Sequence, residues 1–375
     1  MKIAWMSDWN RWGNGKGYSV HNGNMKKWTE GLPDVEVVDD PFQAPVVLDI
    51  VVPPGYKPVP GRFNVLFTMY EMGTIPKDWI EPINLADLII VPCEHNRTLF
   101  RNYTKKPIEV CPEGVDPAVY RFVARDPGVL VEIAPGSGTY YRKMPKNRHF
   151  NFLWVGASNP RKGFELVANA WEEWIAYEPQ EVIENTRLIM KTTKESEPES
   201  TKWMFGAIID TRRLPDEELV NLYNKSHAFL LPSMGEGWGL TLCEGQATGL
   251  PCVYTPWSGP VDFMRKEWSY PAKWKTIPMR AVRTKILEGK KEKTEIAHQG
   301  PVACASVKSI VQRMRQIYYG YEAALEKGYQ GSYHIRHNFT WRKAAIRLCE
   351  ILAEYSGQDW KNPDNERGED HDGKN

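Results

Sequence analysis

Short apolar runs alternate with helix-like stretches along this chain, and the alternation occurs twice. KIAWMS, VEVV, VVLDIVV, RFNVLFTM and LADLIIVP read as strands, each short and closed by turn residues. Between or after them lie amphipathic stretches such as His21 to Glu30 and Glu94 to Tyr103. Such alternation specifies a parallel sheet with helices on both faces. From Asp126 to His149 it stops. DPGVLVEIAPGSGTYYRKMPKNRH is rich in Pro, Gly and basic residues and reads as an exposed linker with one strand. NFLWVGAS then restarts the pattern. A helix follows (Gly163 to Tyr177), then RLIMKTT, a helix led by LPDEELVNLY, the strand HAFLLPS, a helix from Gly239 to Thr248 and the strand PCVYT. Pro215 and the acids after it suit a first helical turn. Val307 to Lys327 and Thr340 to Tyr355 read as amphipathic helices, and SGQDWKNPDNERGEDHDGKN reads as a polar, disordered tail.

The fold class is therefore α/β, with two Rossmann-like doubly wound domains in tandem. A length of 375 residues accommodates both. Such sheets bind ligands at the carboxyl ends of their strands, and two facing each other would frame a cleft. The net charge of +1 gives no global pull toward nucleic acid or membrane. The six cysteines are scattered without a CxxC or a Cys/His zinc pattern, so reduced core thiols in a cytoplasmic protein are expected. Asp8 interrupts the first apolar run, which argues against a signal peptide. Asp49 and the closing prolines make APVVLDIVVPP a buried strand and no transmembrane segment.

The most informative stretch is PSMGEGWGLTLCEGQATGLP, Pro232 to Pro251. It leaves a strand at its carboxyl end and enters a helix. The amides of Gly239, Leu240 and Thr241 would point from that helix N-terminus, an arrangement suited to a phosphate. The glycines let backbone approach a ligand closely. Eight residues of helix span roughly 12 Å, so Glu236 and Glu244 would flank a phosphate at opposite ends. A nucleotide sugar has that layout, with hydroxyls on both sides of a pyrophosphate, and carboxylates accept well from vicinal hydroxyls.

EGWGLTLCEGQATGLP closely resembles the EX7E signature of GT-B glycosyltransferases, specifically the retaining glycosyltransferase family 4, whose usual form is EGFGLxxxEAMAxGxP. The resemblance implies that Glu236 contacts the donor sugar and Glu244 the ribose, with Gly237, Trp238, Gly239, Leu240 and Thr241 lining the donor. Trp238 replaces the commoner Phe, and Gly245-Gln246 replaces Ala-Met. VGASNPRKGFELVANAW is similar to the family's basic motif, which implies that Arg161 and Lys162 bind the donor pyrophosphate. Ala157 and Ser158 stand near where the family often has a further arginine. LPDEELVNLYNKSHAFLLPS resembles the element before EX7E, where the backbone near Arg213 and Leu214 would pack on the base. PIEVCPEGVDPAVY resembles the end of the family's N-terminal domain, with Glu113 replacing a common His. HIRHNFTWRKAAIRLCEILAEY resembles its C-terminal helix. These matches imply domains over 1–148, acceptor-side, and 149–335, nucleotide-sugar-binding, a crossing helix over 336–355 and a tail over 356–375.

WGNGKGYSVHNGN follows the first strand but is no P-loop, because Gly17 stands where Ser or Thr is needed. In the family resemblance it matches a glycine-rich loop approaching the donor phosphates, with Gly15, Lys16 and Gly17 as candidates. FTMYEMGTIPKDW puts Glu71 at a strand end and is similar to a family subset with a Tyr-Glu or Trp-Glu pair. Glu71 is a candidate to orient acceptor or donor, to act as base, or simply to close the strand.

The expected activity is thus transfer of a sugar from a UDP- or GDP-sugar, with retention, without a cofactor and without a metal. The acceptor stays open among glycan, lipid-linked glycan, small molecule, protein and nucleic acid. Basic residues at Arg97, Arg101, Lys105 and Lys106, at Arg142, Lys143, Lys146 and Arg148, and at Lys290, Lys291 and Lys293 leave a polyanionic acceptor such as modified DNA as an alternative. A non-catalytic sugar-nucleotide or glycan-binding protein is a second class of reading. A glycosidase pair is disfavoured, because roughly 12 Å of helix exceeds the carboxylate spacing of either hydrolytic geometry.

Overall fold

The computed structural model describes residues 1–6, 17–145, 148–193, 206–287 and 290–365. The chain separates into two compact units. Met1–Gly114, Met279–Gly300 and Asn338–Asn375 form one, and Val115–Pro278 with Pro301–His337 form the other.

The first unit is built on a six-stranded sheet. Its strands are β1 (Lys2–Trp5), β2 (Glu36–Val38), β3 (Val46–Ile50), β4 (Phe63–Phe67), β5 (Leu88–Val91) and β6 (Ile108–Val110), in the order β2-β1-β3-β4-β5-β6. Every pairing is parallel. A parallel sheet is covered on both faces, so its central strands read as continuous apolar runs. Leu88, Ile89, Ile90 and Val91 are all fully buried. The crossover helices are α1 (Gly17–Glu30), α2 (Lys77–Leu85) and α3 (Glu94–Phe100). The sequence pattern leaves α2 unassigned, because Pro82 interrupts it. Pro82 is the sixth of its nine residues and has no N–H to donate, so the helix forms without the bond that would run from there to the Asp78 carbonyl.

The last helix of the chain, here α10 (Trp341–Ser356), completes this unit. Ala345, Ile346 and Cys349 pack with Leu32, and Trp28, Val35 and Trp360 close over them. Thr340 caps α10 by accepting from the Lys343 amide. Gly114 allows the backbone contact that α10 requires, since a Cβ there would lie 2.3 Å from the Thr340 carbonyl carbon. The tail beyond Ser356, expected to be disordered, is held as far as it is described. Gln358 bonds both the amide and the carbonyl of Lys2. The Trp360 indole donates to the Pro33 carbonyl, and Asp364 pairs with Arg342.

The second unit has its own six-stranded parallel sheet. Its strands are β9 (Phe150–Val155), β10 (Thr186–Lys191), β11 (Ala207–Asp210), β12 (Ala228–Leu231), β13 (Cys252–Tyr254) and β14 (Tyr270–Pro271), in the order β11-β10-β9-β12-β13-β14. Its helices are α4 (Phe164–Tyr177), α5 (Gln180–Asn185), α6 (Asp216–Asn224), α7 (Leu240–Ala247), α8 (Val307–Tyr319) and α9 (Tyr321–Asn338). Gly320 interrupts what the pattern reads as one helix from Val307 to Lys327. Phe150, Phe152, Trp154, Trp171, Trp174 and Tyr318 form an aromatic core. Two more strands, β15 (Trp274–Leu287) and β16 (Lys290–Ala305), pair with each other.

The segment expected as an exposed linker is an antiparallel hairpin of β7 (Val129–Glu132) and β8 (Tyr140–Lys143). It groups with the second unit, which begins at Val115. The reason is Arg142, which is fully buried. Its guanidinium donates to the carbonyls of Tyr318, Tyr319 and Pro127 and to the Glu322 carboxylate. Arg142 therefore leaves the basic cluster proposed for a polyanion, and Arg97 is engaged with Glu94 at 2.7 Å. Lys146 lies outside the described residues.

Candidate active site

β9 and β12 are parallel neighbours, so the loops at their carboxyl ends emerge side by side. After β9 the chain reaches a single 3-10 turn, Pro160–Lys162, capped by Asn159, whose side chain accepts from the Lys162 amide at 3.0 Å. Gly163 then takes φ +73°, and a Cβ there would sit 2.4 Å from the Pro232 carbonyl oxygen. Only glycine fits that combination of conformation and contact. The Trp154 indole donates to the Lys162 carbonyl, and the Met234 amide donates to the Arg161 carbonyl. The two loops are thus stitched along their backbones before any side chain is considered.

That stitching brings three predicted residues together. Lys162 Nζ donates to both oxygens of Glu236, at 2.9 and 2.7 Å. Arg161 donates to the Gly235 carbonyl at 2.6 Å and stands 3.6 Å from the same carboxylate. The Glu236 side chain is 5% exposed, against 21% for Lys162. Burial alone would push the Glu236 pKa up. The neighbouring Lys162 and Arg161 charges, with hydrogen bonds from Lys162 and Ser233, outweigh it and hold the carboxyl below its usual range. Glu236 is therefore an anion at neutral pH, suited to accept hydrogen bonds and unsuited to donate a proton.

The backbone of Glu236 is fixed from its other side. Its amide donates to Ser258 Oγ at 2.9 Å, and the Gly259 amide donates back to its carbonyl at 3.1 Å. Ser258 is held at φ +58°, a costly conformation for a residue with a Cβ. Gly259 lies so close to Trp238 that a Cβ would meet its carbonyl oxygen at 2.5 Å. Trp238 itself is buried against Phe263, with ring centroids 4.8 Å apart.

Glu244 sits apart from this cluster, in the second turn of α7. Tyr223 donates to its carboxylate at 3.1 Å. α7 starts only at Leu240, after Gly239 at φ +115°, and its first bonds run from the Leu242 and Cys243 amides to the Gly239 carbonyl. Glu236 to Gly239 is loop, so helical rise does not set the separation of the two glutamates. The spacing argument against a hydrolytic pair falls with it. Gly237 is buried in this loop, and Leu240 and Thr241 are half-buried at the helix start.

Arg213 is exposed and Leu214 half-buried in the loop that leads into α6. Lys191, which sequence reasoning missed, shapes that loop. Its buried ammonium donates to the carbonyls of Thr192, Asp210 and Arg212 at 2.7, 3.3 and 2.5 Å. Burial lowers its pKa, and Asp210 opposes the shift. Lys191, Ser258 and Tyr223 carry no motif signal, because each acts through backbone or through a second side chain.

The first unit holds the remaining candidates. Gly15 and Lys16 lie outside the described residues, and Gly17 opens α1. Glu71 follows β4 half-buried. The nearby Tyr18 hydroxyl is 3.1 Å from Thr68 Oγ1 and from the Met69 carbonyl. Burial first, and then the charges of Glu71 and Glu113, raise the Tyr18 pKa. Glu113 meets His21 Nδ1 at 2.7 Å in the core, which explains how a carboxylate is tolerated there. Among the described residues no three His, Cys, Asp or Glu side chains are grouped to hold a metal ion, and no helix is long and apolar enough to cross a membrane.

Comparison with known proteins bears on the same region. The family Glycosyl transferases group 1 matches residues 149–273, about a third of the chain, and the match takes in Arg161, Lys162, Glu236 and Glu244. No curated protein matches by sequence. Among solved structures, sucrose-phosphate synthase from Thermosynechococcus elongatus is similar at 11% identity and a TM-score of 0.63, over 94% of this chain and 98% of that one. A glycosyltransferase from Rickettsia africae is similar at 14% identity and a TM-score of 0.56, over 92% and 84%. A TarM mutant from S. aureus, in complex with Fondaparinux, alpha-GlcNAc-glycerol and UDP, is similar at 12% identity and a TM-score of 0.54, over 83% and 55%. The chain has the α/β architecture of GT-B glycosyltransferases, two Rossmann-like parallel-sheet units, and its second unit carries the region similar to Glycosyl transferases group 1.

Proposed function

We propose that this protein is a retaining glycosyltransferase of family 4 that moves a sugar from a UDP- or GDP-sugar to an acceptor. The observation that carries the reading is the buried Glu236 carboxylate locked between Lys162 and Arg161, beside the start of α7. In this reading the donor diphosphate lies on Arg161, Lys162 and the first amides of α7. Glu236 accepts from hydroxyls of the transferred sugar, and Glu244 accepts from the ribose. The loop of Arg213 and Leu214, braced by Lys191, packs on the base.

As the sugar–phosphate bond breaks, negative charge grows on the departing diphosphate. Cations fixed beforehand stabilise that charge more than they stabilise the bound substrate, which is the condition for rate acceleration. Two protein cations and a helix terminus meet the charge without a metal in this proposal. Lys162 pairs with Glu236 in the unliganded protein, so an arriving diphosphate shares that ammonium and frees carboxylate oxygen for the sugar. The TarM structure contains UDP, which supports a uridine donor among the candidates. The six free thiols support a cytoplasmic location. Glu71 is a candidate to orient the acceptor or the donor sugar, or to act as base.

The test is a thermal-shift screen with UDP, GDP, ADP and their sugar conjugates, without added metal. A true donor raises Tm by mass action. Donor turnover is then followed in Glu236→Ala and Lys162→Ala, both expected to lose it. Wild-type turnover in both variants, or no shift with any nucleotide, overturns the reading.

A further inference from the structure

Glu244 is 8% exposed, yet the reading above asks it to meet a ligand hydroxyl pair. A glutamate side chain has three rotatable bonds, and a helix surface by itself selects no single orientation for its carboxylate. Two phenols make that selection here. Tyr223 donates to Glu244 Oε2 at 3.1 Å, and Tyr120 also donates to this carboxylate. The two tyrosine rings meet edge to face, with centroids 6.2 Å apart. Burial first, and then the Glu244 charge, raise the pKa of both phenols, so both remain protonated donors.

The tyrosines are themselves immobilised. Tyr223 is fully buried, with its ring 5.5 Å from that of Phe229. Arg125 ties the end of α6 to the end of α7. Its guanidinium donates to the carbonyls of Tyr223, Ser226 and Thr248 at 3.2, 2.8 and 2.8 Å. The next residue, Gly249, has φ +88°, and Phe122 fills the space where a Cβ would go, 2.7 Å away. Helix, phenols and carboxylate therefore form one rigid group.

We propose that Tyr120 and Tyr223 are positioning residues that set the Glu244 carboxylate toward a vicinal diol, and so make the site distinguish a ribonucleotide from its 2′-deoxy counterpart. The proposal rests on the donor-site reading. A carboxylate held in one orientation gains from two hydroxyls at once, whereas a mobile one must be ordered on binding.

The experiment measures binding of UDP, GDP and ADP, and of their 2′-deoxy forms, by calorimetry. The proteins are wild type, Tyr120→Phe, Tyr223→Phe, the double variant and Glu244→Gln. Phenylalanine keeps the buried rings, and a melting curve confirms folding of each variant. In the double variant the ribo-to-deoxy affinity ratio falls by roughly tenfold, the scale of a hydrogen bond to a charged group. Affinity for the 2′-deoxy form, which keeps only the 3′-hydroxyl, falls by less than that of the ribo form, and Glu244→Gln shows the same fall in ratio. An unchanged ratio, or a parallel loss of both affinities, overturns the positioning role and leaves the donor site standing. Failure of every nucleotide to bind wild type overturns the donor site and this proposal together.

Discussion

Replacing Lys162 by Met removes the main partner of a buried carboxylate and keeps much of the side-chain volume. Removing one member of a fully buried ion pair costs about 3–5 kcal/mol. Two features reduce that here. Lys162 is 21% exposed, so water reaches the vacated position, and Arg161 remains 3.6 Å from Glu236. The expected cost is about 2 kcal/mol, which lowers Tm by roughly 4–8 °C for a unit of this size. The pH dependence is the sharper test. In wild type the folded-state pKa of Glu236 is depressed, so its stabilisation is complete above the unfolded value and is lost as pH falls through the folded value. In Lys162→Met burial prevails and the folded pKa rises. That carboxylate then costs stability as pH rises through the unfolded value. The Tm gap between the two proteins is therefore widest near neutrality and closes below about pH 4. Melting curves from pH 7 down to about pH 3.5 decide the matter. A constant gap, or a variant as stable as wild type at pH 7, would refute the reasoning.

Ser258→Ala leaves the Glu236 amide buried without its acceptor, and should cost about 1–3 kcal/mol in denaturant unfolding. Ser258→Gly loses the same bond but relieves φ +58°, and should cost less. Gly331→Ala places a Cβ 2.1 Å from Gln246 Nε2, so it should destabilise by about 1–3 kcal/mol. Shortening Gln246 to Ala in the same chain should recover part of that loss, measurable as a double-mutant cycle. Arg142→Met strands three carbonyls around a fully buried site, and should lower stability by at least about 3 kcal/mol while leaving Glu236 chemistry in place.

Both parallel sheets are legible in the sequence, because buried parallel strands leave uninterrupted apolar runs such as LIIV and AFLL. The Lys162–Glu236 meeting is legible as well, once two strand ends are placed side by side. What escaped the reading is structure whose signal is a single buried polar group. Arg142 looks like surface charge in RKMPKNR, and only the carbonyls of α8 reveal that it is interior. Pro82 hides α2, and Gly320 splits a periodic stretch that continues across it. Gly245 looks like a departure from the family's alanine. Its neighbour explains it, since a Cβ would stand 3.0 Å from the Phe229 ring. Ser258 and Lys191 act on backbone, and backbone partners leave no spacing to find.

The Gln358 amide grips both backbone groups of Lys2, and Trp360 packs on the cluster of Leu32, Ala345, Ile346 and Cys349. This feature sets an order of events during synthesis. The first 114 residues leave the ribosome early, yet the helix that seals their core is translated after residue 340. Until then Leu32 lacks Ala345, Ile346 and Cys349, its partners in that cluster. The second unit, nearly continuous in sequence, is able to fold in the interval. The unit begun first is thus finished last, and a ribosome stalled before α10 holds a first unit that is still unsealed.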